Sequence, residues 1–278
     1  MTNQYVKSPL NFQGGKYKLL PQIIPLFPKD MNVFLDLFAG GFNVGVNVDA
    51  ERIYYNDSCK QVMDIISMFY FMNSHSIDSV IENNINKYGL NKKSTGYKDN
   101  KEAYLKLRDD YNKNPNPYDL YTLIICAFSN QVRFNKNGEF NMPFGERGYN
   151  DKLRENLIRF VNKMHTKNVK FSNRDFRDMN LNTWECFVYA DPPYLNSIAT
   201  YNENGGWTSQ DEQELYDILD QHDKVGKFAV SNNLKYDNPI LKEWMKKYNV
   251  HYLNMDYANC NYQKKQRNGD KEVLITNY

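Results

Sequence analysis

Short apolar runs recur along the chain at Val33–Asp36, Arg52–Asn56, Val169–Phe171, Phe187–Ala190, Phe228–Ser231, His251–Leu253 and Val273–Thr276. Each is too short for a helix and reads as a buried strand. Between them the apolar spacing becomes helical. Val62, Ile65, Ile66 and Phe69 fall at i, i+3, i+4 and i+7, which makes one apolar helix face. Leu215, Ile218 and Leu219 are a shorter case, behind a cap-like Ser209 with Glu212 three residues on. Strands alternating with helices predict an α/β fold: a largely parallel sheet with helices on both faces.

The alternation breaks between about residue 60 and residue 165. That stretch reads as helices and loops, with candidates at Glu102–Tyr111 and Tyr118–Ser129 separated by the breaker Asn114-Pro115-Asn116-Pro117. It is large for a crossover between strands, and predicts a second, mostly helical lobe over residues 61–164. The flanking segments, 1–60 and 165–278, then form one catalytic domain.

Composition narrows the function without naming it. With 278 residues, 41% of them hydrophobic, the chain can bury a sizeable core and is no disordered segment. No apolar run approaches the roughly 20 residues of a membrane span. The start, Met1-Thr2-Asn3-Gln4-Tyr5, lacks the apolar core of a signal peptide. Cys59, Cys126, Cys186 and Cys260 stand far apart, so reduced thiols in a cytoplasm are expected. His75, His165, His222 and His251 are equally scattered; no zinc site or Ser-His-Asp arrangement is visible, and no metal is expected. The net charge, 35 − 33 = +2, argues against a general coat of positive charge but allows a local basic groove. The 38 Asn and 26 Lys, against 9 Arg, match AT-rich codon usage, so single Asn or Lys residues are not read as contacts.

Three clusters carry chemistry. In Phe34-Leu35-Asp36-Leu37-Phe38-Ala39-Gly40-Gly41-Phe42-Asn43-Val44-Gly45 an apolar strand ends in an acid and turns through glycines, which let backbone approach a nucleotide-like ligand. Asp36 there can bind an amine. A plain tight turn explains the glycines equally well. In Tyr55-Asn56-Asp57 an acid ends the next strand, where α/β sites hold ribose hydroxyls. A carboxylate at Asp36 would repel a pyrophosphate, so a ligand bearing a cation or amine fits better. The third cluster, Val188-Tyr189-Ala190-Asp191-Pro192-Pro193-Tyr194, runs a buried strand into Asp-Pro-Pro-Tyr. The prolines fix φ and remove two backbone donors, and their carbonyls remain as acceptors. This suits a planar substrate with an exocyclic NH2: Asp191 and the Pro192 carbonyl accept its N–H bonds while Tyr194 stacks on its face.

Together these motifs resemble the Dam-like (D12 class) DNA adenine-N6 methyltransferases, over nearly the whole chain and in the family's order. Asn11-Phe12-Gln13-Gly14-Gly15-Lys16 is similar to the N-terminal aromatic-x-Gly-Gly-Lys motif. Asp36 to Gly41 is similar to the S-adenosylmethionine loop, and Asn56-Asp57 to the ribose-binding turn. Arg133-Phe134-Asn135 with Gly138-Glu139-Phe140-Asn141-Met142-Pro143-Phe144-Gly145 resembles the DNA-contacting hairpin. Asp175-Phe176 resembles the pair flanking the cofactor adenine, Asp191 to Tyr194 the catalytic tetrapeptide, and Val273 to Tyr278 the final strand. There are departures. The family often has Glu-Pro-Phe at Asp36-Leu37-Phe38, a third glycine at Phe42, and Lys at Asn11. The hairpin, Ser129 to Asn135, looks closer to restriction–modification members than to GATC-methylating enzymes, so no recognition sequence is carried over.

The resemblance implies a Rossmann-like methyltransferase sheet with an inserted DNA-recognition lobe, and S-adenosyl-L-methionine as cofactor. The cofactor residues would be Phe12, Gly14, Gly15, Lys16, Asp36, Phe38, Gly40, Asp57, Asp175, Phe176 and Asp191. Asp191, Pro192, Pro193 and Tyr194 would be catalytic. Double-stranded DNA would be the partner, with a cognate restriction endonuclease acting on the same site in restriction–modification members. Phe134 is expected as a wedge filling the gap left by a flipped base, and Asn135 as the partner of the orphaned base. Arg133 or Lys136 would read guanine or hold a phosphate. Lys264, Lys265 and Arg267 form a basic loop expected on the DNA backbone. Two other readings stay open: the same fold acting on cytosine N4 or on RNA, and a DNA-binding relative that has lost its chemistry.

Overall fold

The computed structural model describes residues 5–12, 14–91, 98–196, 206–254 and 272–278. All seven expected strands form: β1 (Val33–Asp36), β2 (Arg52–Asn56), β3 (Val169–Ser172), β4 (Phe187–Ala190), β5 (Lys227–Asn233), β6 (Asn249–Leu253) and β7 (Glu272–Thr276). They make one sheet in the order β3-β2-β1-β4-β5-β7-β6. β1 to β5 run parallel, and β7 is antiparallel to β5 and β6. The helices of the described residues are α1 (Leu20–Ile23), α2 (Lys60–Phe71), α3 (Ser74–Tyr88), α4 (Lys101–Lys113), α5 (Pro117–Cys126), α6 (Asp151–Met164), α7 (Ser209–His222) and α8 (Pro239–Trp244).

Successive strand residues feed opposite faces of the sheet. Phe34, Phe187 and Tyr189 join Ile53 and Tyr55 on one face. Leu35, Val188 and Ala190 pack on the other against Leu215, Tyr216 and Leu219 of α7 and Leu241 and Trp244 of α8. Both faces are covered, which is why β4 and β7 are buried at every position.

The stretch between β2 and β3 is helical, α2 to α6, as its broken alternation predicts. Val62, Ile65, Ile66 and Phe69 are the buried face of α2. Asn116 caps α5 by accepting from the Asp119 N–H, and Pro117 takes the first helical position, where no N–H is needed. α5 stops at Cys126, short of the expected Ser129, because Ala127 pairs in a bridge with Phe144. The Asn130 amide then donates to the carbonyls of Ile124 and Ile125, at 3.2 and 2.6 Å, and closes the helix end. The helices share one continuous apolar core with the β1–β2 face of the sheet, from Phe34 and Tyr55 to Phe69, Tyr104, Tyr121 and Phe160.

α7 starts one residue earlier than the cap signal suggests. Thr208 is the cap and exchanges hydrogen bonds with Asp211, while Ser209 is already helical. Glu212 turns inward and is fully buried, with Trp207, Tyr216 and Asn238 donating to it. From β1 the chain runs outward through β2 and β3, then crosses to β4 on the opposite side of β1. That reversal opens a crevice at the carboxyl ends of β1 and β4, the place where open α/β sheets bind ligands.

Candidate active site

Asp191 leaves the end of β4 directly into this crevice. Lys16 reaches it from a short turn that follows Gly14, whose left-handed φ of 81° suits glycine. The lysine is 3% exposed. Its Nζ donates to the Gly14 carbonyl at 2.8 Å and pairs with Asp191 Oδ1 at 2.8 Å. The same Nζ stands 5.1 Å from the centre of the Tyr194 ring. The Tyr194 hydroxyl lies 3.3 Å from Asp191 Oδ1 and 3.1 Å from Glu272 Oε2. Burial pushes the Asp191 carboxyl up, and Lys16 opposes that shift by charge and hydrogen bond. Pro192 is buried, whereas Pro193 and Tyr194 are half-buried at the crevice wall.

Asp36 ends β1 beside it and is 2% exposed. Its Oδ2 accepts the Gly45 N–H at 3.0 Å. Burial pushes this carboxyl up to about 8; the Gly45 N–H pulls the other way, and Asp191 and Asp57 add to the rise. Asp57 accepts the Gly40 N–H on Oδ2 and the Cys59 N–H on Oδ1, both at 2.8 Å. Burial raises it, and those two donors hold it down. Phe42, directly after Gly40-Gly41, adopts a left-handed φ of 63°. Its ring is fully buried against Tyr55 at 5.3 Å. A Cβ at Gly45 would lie 2.1 Å from that ring, so Gly45 makes the room Phe42 needs. A Cβ at Gly41 would lie 3.1 Å from the Phe12 ring, so this glycine lets the N-terminal motif lie on the loop. The Gly15 N–H donates to the Phe12 carbonyl at 3.1 Å.

Beyond the carboxylates stands a group of three rings. Phe38 lies 5.5 Å from Phe176 and 5.6 Å from Trp207, and Phe176 lies 5.5 Å from Trp207. Asp175 caps the turn Phe176–Asp178 by accepting from the Arg177 N–H at 2.9 Å. The Arg177 guanidinium pairs with Asp175 and with Asp211 and Glu214 of α7, tying this turn to the helix.

The hairpin lies in the loop between α5 and α6. Phe134 bridges to Phe140 across it, and Gly138 takes a left-handed φ of 77° at the turn. Arg133 is engaged within it: Nε donates to Asn141 Oδ1 at 2.8 Å and Nη2 to the Asn141 carbonyl at 3.1 Å. Asn135 organises the turn. Its Oδ1 accepts the N–H groups of Asn137 and Glu139, and its Nδ2 donates to Glu139. The half-buried Phe134 packs 5.9 Å from the buried Phe140 ring, while Lys136 is exposed. At the hairpin's base Phe128 is 57% exposed, displayed by Ser129 and Asn130, both left-handed. Lys264, Lys265 and Arg267 lie outside the described residues.

The family model for the D12 class N6 adenine-specific DNA methyltransferase matches residues 12–259. The chain belongs to this class. Among its relatives, the type II methyltransferase M.FokI of Planomicrobium okeanokoites is 43% identical over all of this chain and 44% of its own length. The modification methylase StsI of Streptococcus sanguinis is 39% identical, again over all of this chain and 44% of its own length. The DNA adenine methylase of Escherichia coli (strain K12) is 24% identical over 88% of this chain and 86% of its own. The chain thus spans under half the length of the first two. The seven-stranded sheet and its helices are consistent with the methyltransferase fold of this class.

For this D12 chain the structure brings together Lys16, Asp36, Asp57, Asp191 and Tyr194, residues far apart in sequence. It adds three that sequence reasoning missed. Glu212 carried a signal: with Leu215, Tyr216 and Leu219 it falls at i, i+3, i+4 and i+7, so an acid sits on the apolar face of α7. Trp207 and Glu272 carried none beyond their place beside a helix and a strand. His222 is a packing residue, bonded to the carbonyls of Leu181 and Cys186. No described helix is long and apolar enough to cross a membrane.

Proposed function

We propose that the chain is a site-specific DNA adenine-N6 methyltransferase, acting on an adenine turned out of duplex DNA with S-adenosyl-L-methionine as methyl donor. One observation carries the reading. The Asp191 carboxylate is clamped by a buried lysine on a rigid Pro-Pro loop, next to a second buried carboxylate and at the reversal of strand order.

The residues fit the cofactor. Among the described residues the hydrogen bond to Asp36 comes from the Gly45 N–H, which leaves the rest of its carboxyl for a ligand, and an amino-acid ammonium placed there would draw off its proton and pair with the carboxylate. Asp57 retains lone pairs for ribose hydroxyls beyond the two N–H bonds it accepts. Phe38, Phe176 and Trp207 offer an aromatic surround for an adenine ring. When bound, the cofactor supplies an electrophilic methyl group. The chain supplies positioning and preorganised electrostatics. Asp191 and the Pro192 carbonyl accept from the target N6, which favours a pyramidal nitrogen with a directed lone pair. Lys16 keeps Asp191 ionised and in place. Tyr194 stacks on the base and recovers part of the few kcal/mol that unstacking costs.

The helical stretch 61–164 is the proposed DNA-recognition lobe, joined by the basic residues Lys264, Lys265 and Arg267. Within it the exposed Phe128 is better placed than the half-buried Phe134 to enter a base stack, because Phe134 already has a ring to pack on. Arg133 and Asn135 serve first to build the hairpin, and Lys136 is free to reach phosphate. The proposed compartment is the cytoplasm, and a restriction endonuclease sharing the site is the proposed partner, a reading supported by relatives named as modification methylases. The test is Asp191→Ala: methyl transfer to duplex DNA should fall at least about 1000-fold, far more than cofactor binding weakens. Transfer surviving in this variant removes Asp191 from the chemistry.

A further inference from the structure

Glu272 opens β7 and is 4% exposed, yet it belongs to none of the motifs above. It faces the catalytic loop. Its Oε2 lies 3.1 Å from the Tyr194 hydroxyl, and its Oε1 accepts from Asn233 Nδ2 at 2.8 Å. Asn233 cannot turn its amide round without loss, since its Oδ1 accepts the Lys235 N–H at 2.9 Å. The Tyr194 hydroxyl therefore sits between two carboxylates, Glu272 at 3.1 Å and Asp191 at 3.3 Å, with a single proton to give. A proton given to Asp191 would compete with the bonds that Asp191 is to accept from the target amine, and would draw electron density away from them.

We propose that Glu272 is a positioning residue for methyl transfer: it takes the Tyr194 hydroxyl proton, fixes the ring, and leaves Asp191 as a full acceptor for the exocyclic amine. The inference rests on the reading of Asp191 given above. It predicts an unusual result for a near-isosteric change. In Glu272→Gln the carbonyl must face Asn233, because Asn233 presents its NH2. The new amide NH2 then faces Tyr194 and donates to it. The phenol becomes an acceptor at that side, and its own proton turns to Asp191.

Single-turnover transfer in Glu272→Gln should drop about 10- to 100-fold, the worth of a hydrogen bond to a charged group. Cofactor Kd and the 2-aminopurine signal of base flipping should stay within about threefold of wild type, since neither depends on the direction of that bond. Tyr194→Phe keeps the stacking ring and removes the proton, so the double variant should be faster than Glu272→Gln alone. A purely structural role for Glu272 predicts the opposite, a double variant at least as slow. Infrared spectra of the cofactor-free protein give a second readout. The Tyr194 C–O stretch, identified by its loss in Tyr194→Phe, should shift in Glu272→Gln as the phenol becomes an acceptor. An unshifted band, or a double variant no faster than Glu272→Gln, overturns the proposal. A wild-type protein without transfer would instead sink the methyltransferase reading, while the infrared result would still decide the hydrogen-bond direction.

Discussion

At the scale of single residues, the site depends on carboxyl groups buried away from the water that would stabilise their charge. Asp36 is the clearest. Its folded-state pKa of about 8 lies above the ordinary 3.8, so near neutral pH the free protein holds this proton. The sign follows: this group favours the folded state at low pH, and its contribution is lost as pH rises from the ordinary carboxyl value through about 8. A cation placed against Asp36 favours the ionised form. Cofactor binding at about pH 7 should therefore release close to one proton, whereas at about pH 9 it should take one up, because Asp36 is then already ionised and the free amino group, with an ordinary pKa of about 7.7–8.0, must be protonated to meet it. Calorimetry in buffers of different ionisation enthalpy measures this, and Asp36→Asn should remove the release. Equal release at both pH values would show that Asp36 does not meet the cofactor's cation. Asp36, Asp57 and Asp191 were legible in the sequence because each ends a strand. Glu272 and Trp207 were not, because what makes them matter is contact with Tyr194 and with Phe38 across the fold.

At the scale of elements, the central strands β1, β4 and β7 were legible because they are short apolar runs buried on both faces. The edge strands β3 and β6, only partly buried, showed through β-branched and aromatic residues such as Val169, Phe171, Val250 and Tyr252. The helix ends were not legible, since Thr208-x-x-Asp211 and Ser209-x-x-Glu212 both satisfy the capping pattern. The burial of Glu212 decided between them, and that is a tertiary fact. The cofactor loop shows a related limit. A left-handed position normally calls for glycine, but here Phe42 holds it and Gly45 yields the space. Gly45→Ala should therefore destabilise the fold by about 1–3 kcal/mol through overpacking, and it should weaken cofactor binding because the Gly45 N–H also holds Asp36. Chemical denaturation with and without cofactor reads both effects. A variant as stable as wild type would mean that the Phe42 ring can move aside at no cost.

At the scale of the whole molecule, a net charge of +2 fits the proposed binding of DNA only if the contacts concentrate at the hairpin and at the basic residues Lys264, Lys265 and Arg267. Affinity should fall with salt, but with a shallower slope than for a strongly basic binder. The hairpin was legible as a motif, while the exposure of the rings in and beside it was not. The sequence pointed to Phe134 as the wedge, whereas Phe128 is the exposed ring. Phe128→Ala should reduce the 2-aminopurine fluorescence rise on binding more than Phe134→Ala does, at similar nonspecific affinity; the reverse ranking would return the wedge role to Phe134. The most direct test of the whole account uses S-adenosylmethionine tritiated in its methyl group. After incubation of the protein with unmethylated duplex DNA and digestion to nucleosides, the account predicts label in N6-methyladenosine. Label in N4-methylcytosine alone, or none in DNA, would contradict it.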